Sequence, residues 1–207
     1  TADTATITVS VANVSVQNCI FVANFADIAA CFTVTTATDF TVEKNEFRDT
    51  TASLNFINII DTNATNNAAD GLYFCKNRII SLGTTAATTA IEIDANESRV
   101  IVNDNFAVYA NVANTPALLE AATFDLTNLE MAYNIVFRPS DYSTSGCLLE
   151  TSSTASSGML HHNHLRVLDA AAILLITTGS LLGHSQNYVQ GAVDTSGFLL
   201  PAADADL

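Results

Sequence analysis

A short motif centred on asparagine recurs along the whole chain and constrains its fold more than any other feature. Before each asparagine, two apolar residues occupy alternating positions. Another apolar residue lies two positions after the asparagine, as in FTVEKNEF and VIVNDNFA. The intervals between copies are 27, 32, 28, 29, 29 and 24 residues. Such a repeat indicates a solenoid of similar coils. The seven asparagines are Asn18, Asn45, Asn77, Asn105, Asn134, Asn163 and Asn187.

A second apolar segment follows each asparagine at a roughly constant distance. It reads TAIEI at 89–93, ALLEA at 117–121, CLLET at 147–151, ILLIT at 173–177 and FLLPA at 198–202. The first two coils match it loosely, with CFTV from Cys31 and LNFINI from Leu54. The period within both segments is two, which predicts β-strands rather than helices.

We therefore predict an all-β chain, a right-handed single-stranded parallel β-helix with three sides and about seven coils, as one domain over residues 1–207. Asparagine tolerates the left-handed backbone conformation of a sharp corner. Its amide can also bond the asparagine one coil above, at about 4.8 Å. The alternative is a β-sandwich in which asparagine only marks surface turns. Because the chain starts at Thr1, we interpret it as a processed product or the ordered part of a longer polypeptide.

The composition argues against two classes of partner. The chain is 49% hydrophobic and 14% charged, with a net charge of −14. Phosphate binding needs clustered Lys and Arg, so we expect no nucleic acid and no anionic membrane surface as partner. The longest apolar run, 170–176, is far shorter than the roughly 18 residues of a membrane span.

The four cysteines suggest neither a zinc site nor a disulfide scaffold. No pair has the C-x-x-C spacing of zinc sites, and each cysteine lies in an apolar run. We expect buried thiols that act as small hydrophobic side chains. They are Cys19, Cys31, Cys75 and Cys147.

Three glutamates occupy one position in successive copies of the second segment. Stacked in a parallel solenoid, Glu92, Glu120 and Glu150 would repel one another and raise their pKa values. Paired carboxylates are what a glycosidase uses, and a cation could also bridge them. The chain contains no Trp to stack on sugars, however, and a solvated or interface-lining column remains the third interpretation.

Four histidines lie close together in two successive coils. His161, His162 and His164 occur in MLHHNHL, and His184 follows one coil later. Imidazoles that converge could bind zinc or nickel, in one chain or on a trimer axis. The alternative is an exposed polar strand without a ligand, and we predict no metal and no other cofactor.

Adjacent leucines in the second segment suggest an assembly surface. Neighbouring residues of a strand point to opposite faces, so one leucine of each pair should project outward and form an apolar stripe several coils tall. Cyclic symmetry would close such a stripe, which predicts a homotrimer. The predicted interface consists of Leu118, Leu119, Leu148, Leu149, Leu174, Leu175, Leu199 and Leu200.

With these residues in view, the chain resembles the right-handed parallel β-helix structural proteins of tailed bacteriophage virions. The resemblance rests on the asparagine ladder, the Thr- and Ala-rich coils and the run LGHSQNYVQGAVDTSGFLL at 182–200. It covers the whole chain, through motifs generic to a fold. It implies a capsid decoration protein, fibre or spike, commonly a trimer, and no catalytic residue that can be carried over.

The expected function is therefore structural and non-enzymatic. We expect a component at the surface of the virus particle that associates with itself and with other virion proteins such as the major capsid protein. The alternative is a polysaccharide- or receptor-binding tailspike, with or without glycosidase or lyase activity.

Overall fold

The computed structural model describes residues 6–82, 89–109, 118–138, 148–151, 153–167 and 181–191. These residues form 22 β-strands and no helix. Strands that are distant in sequence pair in parallel, and each strand inside a large sheet pairs with one strand a turn earlier and one a turn later. The described chain is therefore a β-solenoid, and the predictions of an all-β fold and of stacked parallel strands are confirmed.

Three large sheets and one small sheet make up the solenoid. Sheet A contains six strands: β1 (Ile7–Val9), β4 (Ile28–Val34), β7 (Phe56–Thr62), β10 (Thr89–Glu92), β14 (Leu119–Ala122) and β18 (Leu149–Thr151). The small sheet pairs β11 (Glu97–Ser98) with β15 (Leu126–Thr127).

The other two large sheets have seven strands each. Sheet B contains β2 (Ser15–Gln17), β5 (Thr41–Glu43), β8 (Tyr73–Cys75), β12 (Ile101–Asn103), β16 (Leu129–Ala132), β19 (Ser157–His161) and β21 (Leu181–Ser185). Sheet C contains β3 (Ile20–Ala23), β6 (Glu46–Asp49), β9 (Arg78–Ser81), β13 (Phe106–Tyr109), β17 (Ile135–Arg138), β20 (His164–Val167) and β22 (Tyr188–Gly191).

The chain passes through sheets B, C and A in that order in each turn. Five successive turns, from β2 to β18, contain a described strand in every large sheet. Two further turns contribute β19 with β20 and β21 with β22. The connection from sheet B to sheet C is two residues long in every turn, for example 44–45 and 104–105. This constant corner carries the asparagine repeat.

The core follows from the alternation within each strand. In β12, Val102 is fully buried and its neighbours Ile101 and Asn103 are half-buried. The apolar residues three before the asparagines form one buried column in register, as the repeat predicts: Val42, Phe74, Val102, Met131 and Leu160. Burying a side chain of this kind stabilises the fold by roughly 1.5–3 kcal/mol, so the column is a continuous source of stability along the solenoid.

Aromatic rings fill the interior of the first turns. Phe21 stacks on Phe47 with ring centroids 5.1 Å apart, and Phe47 lies 6.2 Å from Phe74. Phe32 of sheet A meets the edges of both Phe21 and Phe47. Offset and edge contacts of this kind add stability beyond the burial of area. Sheets A, B and C therefore share one core.

Candidate functional site

The asparagines form a column of hydrogen bonds along the corner between sheets B and C. The backbone N–H of Asn105 donates to Asn134 Oδ1 at 3.1 Å, and the Asn105 side-chain amide donates to the same oxygen at 3.0 Å. The Asn105 amide also donates to the carbonyl oxygen of Phe74 at 2.9 Å, so both amide hydrogens have acceptors. The same three bonds recur at Asn45, Asn77, Asn134 and Asn163, and Asn187 ends the described column.

Asn18 is not a member of this column, so its assignment from the sequence is wrong. The strand register aligns Ile20 with Glu46, which places Cys19 and not Asn18 at the position of Asn45. The backbone N–H of Cys19 donates to Asn45 Oδ1 at 2.9 Å, but a thiol cannot continue the amide column. The column therefore begins at Asn45, because the first turn carries its asparagine one residue too early.

The left-handed backbone conformation also lies one residue away from the predicted place. The residue before each column asparagine has a φ between 52° and 58°, as at Lys44, Tyr133 and His162. Asn18, at the equivalent position of the first turn, has a φ of 57°. Non-glycine residues pay a steric cost in this region, and the buried amide that follows holds the turn in place. Side chains of any type are thus displayed along the corner.

The predicted leucine stripe is wrong for the four leucines that are described. Leu118, Leu119, Leu148 and Leu149 are all fully buried within this single chain. The same double burial occurs at Ile59 and Ile60, which are adjacent in one strand of sheet A. Alternation predicts that adjacent side chains take opposite faces, but it does not show that the outward one is exposed, and here both members of each pair are buried. Leu174, Leu175, Leu199 and Leu200 lie outside the described residues.

The predicted glutamate column exists, and a fourth carboxylate extends it. Glu92 pairs with Glu120 and Glu120 with Glu150 in the register of sheet A. Asp61, one turn earlier, pairs with Glu92. All four side chains are half-buried, and the amide of Asn58 donates to Glu92 Oε2. We call this set, Asp61, Glu92, Glu120 and Glu150, the acidic column.

Burial raises the pKa values of all four carboxyls of the acidic column, and repulsion from other members adds to the rise at Asp61 and Glu120. Partial burial, with the charges of Glu92 and Asp94, raises the pKa of Asp61 to about 6. Burial likewise raises the pKa of Glu120, and Glu92 and Glu150 add to the effect. Carboxyls with raised pKa values can carry protons in general acid chemistry, although stacked structural carboxyls behave the same way.

Glu97 is an acidic residue that the repeat analysis did not single out. It begins β11, is 2% exposed, and accepts the backbone N–H of Ala69 through Oε2 at 3.0 Å. Burial raises the pKa of Glu97 to about 8, and the charge of Asp70 adds to the rise. Glu97 is therefore mostly protonated at neutral pH, a state that limits the cost of burying it.

The histidines do not converge on one point. His184 pairs with the buried Leu160 and so belongs to the inward column of sheet B, whereas His161 lies on the opposite face. His161 and His162 are adjacent, with their Nδ1 atoms 2.9 Å apart. His164 lies on the outer face of sheet C, in register with Tyr188. Among the residues that the structure describes, no three His, Cys, Asp or Glu side chains are grouped as a metal site would require.

Two tyrosines complete a surface feature around these histidines. The ring of Tyr133 stacks on His162, with centroids 4.9 Å apart and planes at 21°. The ring of His164 meets that of Tyr188 edge to face, at 4.7 Å. These four rings border an open depression of about 530 Å³, which we call the aromatic depression. Its lining residues are Tyr133, His162, Asn163, His164, Gln186 and Tyr188.

An exposed apolar patch lies on the outer face of sheet C. Phe106 and Ile135 are neighbours in register and are 40% and 45% exposed. A second column of half-buried apolar residues runs beside them. We call the whole set the sheet C patch; its members are Ile80, Phe106, Val108, Ile135 and Phe137.

The thiols agree only in part with the sequence interpretation. Cys31 and Cys75 are buried and free, and burial raises the pKa of Cys31 to about 12. Cys19 is free but exposed, contrary to the prediction, because the register places it at the corner of the first turn. Cys147 lies outside the described residues.

The chain matches no family model, no curated protein and no solved structure. In the part of the chain that is described, no helix is long and apolar enough to cross a membrane. The functional interpretation of the candidate sites therefore rests on their geometry.

Replacing Asn105 by Ala should destabilise the chain severely. The change removes the hydrogen bonds that Asn105 makes to Asn77, Asn134 and Phe74, and it leaves buried polar atoms unpaired at about 1–3 kcal/mol each. We expect a loss of roughly 3–5 kcal/mol in the free energy of unfolding, measured by urea denaturation. Asn103→Ala is the matched control, because Asn103 is only half-buried and bonds Glu130 and Ala132. Equal losses in both variants would contradict the importance of the column.

The acidic column should make the chain more stable as the pH falls. The folded chain holds the Asp61 proton more tightly than the unfolded chain, since the pKa is about 6 rather than 3.8. The free energy of unfolding should therefore decrease as pH rises from about 4 to about 6. We expect Asp61→Asn to remove on the order of 1–3 kcal/mol of this decrease. Urea denaturation at each pH measures the effect, and Asp104→Asn, at an exposed corner, should keep the wild-type profile.

Proposed function

We propose that the chain is a non-enzymatic structural component of a tailed bacteriophage particle, a capsid decoration or fibre protein at the virion surface. In this role it acts as a homotrimer and contacts other virion proteins such as the major capsid protein. The observation that carries the proposal is the sheet C patch, an exposed apolar surface on a scaffold held by a buried amide column. The resemblance to phage β-helical proteins supports the virion location.

The finer architecture belongs to the same proposal: a right-handed winding with three sides and seven coils. Crossovers between parallel strands of one sheet are right-handed in about 98% of cases, which favours that hand. The order of sheets B, C and A in five complete turns, with strands from two more, favours three sides and seven coils.

The sheet C patch has the features of a self-association surface. Large exposed apolar patches are rare on monomers and mark interaction sites. Here Phe106, Ile135 and Phe137 lie on adjacent strands, whose backbones are fixed by parallel pairing. A rigid patch loses little conformational freedom on association, so more of its burial contributes to binding.

The charge distribution favours a second copy of this chain as the partner that binds the sheet C patch. A chain of net charge −14 repels its copies at most surfaces. Beside the sheet C patch, however, Arg78 forms an ion pair with Glu46 at 2.9 Å. At the adjoining corner, Lys76 pairs with Glu43 at 3.2 Å. Strands β6 and β9 and the corners that precede them carry four of the seven basic residues: Lys44, Arg48, Lys76 and Arg78. Repulsion between copies is therefore weakest there.

Ile135→Asp should dissociate the trimer without unfolding the chain. Ile135 is 45% exposed, so the aspartate stays solvated in a monomer but would be buried at the interface. We expect light scattering after size exclusion to give three chain masses for the wild type and one for the variant. Val11→Asp alters another exposed apolar residue, outside the patch, and should leave the trimer intact. A wild type that is monomeric at micromolar concentration would overturn the proposal.

A second candidate is a polysaccharide-engaging tailspike that hydrolyses its ligand at the acidic column. The raised pKa values of Asp61 and Glu120 favour it, because a glycosidase needs one protonated carboxyl beside an ionised one. In such an enzyme, Glu120 would lie between two further carboxyls of the column.

The release of reducing sugar separates the two candidates. We expect wild-type protein to release no more reducing sugar from host polysaccharides than the Glu120→Gln variant does, since the leading proposal assigns the column no catalysis. Glutamine keeps the shape of the side chain and removes its proton transfer. Release by the wild type that is lost in Glu120→Gln would establish the second candidate instead.

A further inference from the structure

The aromatic depression is built by two columns of side chains that meet at the corner between sheets B and C. Tyr133 and His162 belong to the corner positions with positive φ, where side chains of successive turns lie one above another. His164 and Tyr188 belong to the outer face of sheet C. Asn163 lies between the two columns and is engaged in the amide column. The depression therefore has a fixed floor and aromatic borders.

The stack of rings ends where the depression opens. Tyr133 covers one face of His162, with the planes at 21° to each other. At the corner of the next turn the chain carries Gln186, which brings an amide group in place of a third ring. Gln186 occupies the corner position one turn after His162, so the lining combines aromatic rings with an amide group. Ring faces beside hydrogen-bonding groups are the usual composition of a small-molecule site.

This combination fits a sugar better than other small ligands. A pyranose has an apolar face of C–H groups that packs on aromatic rings, and hydroxyls at its edge that need donors and acceptors. Tyr133 is 53% exposed, so its ring is accessible for such packing. Imidazole nitrogens, phenol hydroxyls and the Gln186 amide supply both donors and acceptors around the depression. Its volume of about 530 Å³ lies within the range of about 300–1,000 Å³ typical of ligand sites.

The charge of the chain selects among sugars. None of the lining residues is Lys or Arg, and the chain carries a net charge of −14. An acidic polysaccharide would be repelled over a long range and would find no fixed cation in the lining. We propose that the aromatic depression binds an uncharged oligosaccharide, with Tyr133 and Tyr188 as packing rings and Gln186 as a hydrogen-bonding group.

This site adjoins the sheet C patch, because His164 pairs with Ile135 in the register of sheet C, and it is separate from the acidic column. It lies at the corner and at the end of sheet C, whereas the acidic column lies on sheet A. Such a site is compatible with a decoration protein that adheres to host glycans, and equally with a spike. Its failure would leave the proposed trimer untouched, because light scattering measures that assembly without any sugar.

The test is a titration followed by NMR of protein labelled in its tyrosine and histidine rings. The probes are tetrasaccharides of glucose, galactose, mannose and N-acetylglucosamine, with tetragalacturonate as the acidic probe. We expect at least one neutral probe to shift the ring signals of Tyr133, His164 and Tyr188 in a saturable way at millimolar concentration. Tyr133→Ala should weaken that binding about two- to tenfold, the range for loss of one ring contact.

Phe25→Ala is the matched control, because Phe25 is 54% exposed, like Tyr133, but does not line the depression. Gln186→Ala, which removes no ring, provides a second variant should Tyr133→Ala unfold. The proposal fails if no neutral probe shifts these signals, if tetragalacturonate binds more tightly than every neutral probe, or if Phe25→Ala weakens binding as much as Tyr133→Ala. Loss of binding in Tyr133→Ala or Gln186→Ala, with Phe25→Ala unchanged, supports it.

Discussion

The buried asparagine amides set the register on which every surface of this molecule depends. A slip of one residue would break three hydrogen bonds in each turn and would turn the strands of sheets B and C inside out. Unpaired buried amides cost about 1–3 kcal/mol each, so the register is strongly enforced. The intervals along the column vary from 24 to 32 residues, yet the corner itself is always two residues long. Variation in length therefore falls in the strands and in the other connections.

The parallel solenoid could be predicted because its causes are local and repeated. Apolar alternation around Val42, Phe74 and Val102 predicts inward columns, and the structure has them in register. The left-handed corner could not be placed, because its residues share a conformation and no chemistry: lysine, aspartate, tyrosine, histidine and glutamine all occur there. Asn18 was misassigned for the same reason, since an asparagine can occupy either corner position and only the pairing distinguishes them.

The candidate sites were less predictable than the fold, because they depend on contacts between turns. The column of Glu92, Glu120 and Glu150 followed from aligned copies, but Asp61 lies in a turn whose sequence matches the others only loosely. The prediction of an exposed leucine stripe was wrong because alternation does not determine whether an outward side chain is exposed to solvent. Tyr133 and Tyr188 meet the histidines from neighbouring turns, and no sequence motif joins them.

Stacking in register aligns side chains of the same type into columns. Different faces of the solenoid therefore carry different chemical groups. Sheet A carries carboxyls whose pKa values are raised first by burial and then by repulsion, whereas sheet C carries apolar residues beside paired charges. In the proposed trimer a threefold axis would bring three copies of one face together. Acidic columns at that axis would repel more strongly still, while sheet C patches there would bury apolar area and keep the acidic columns away from the axis. The repetition that stabilises the chain thus also determines which face can meet its own copy.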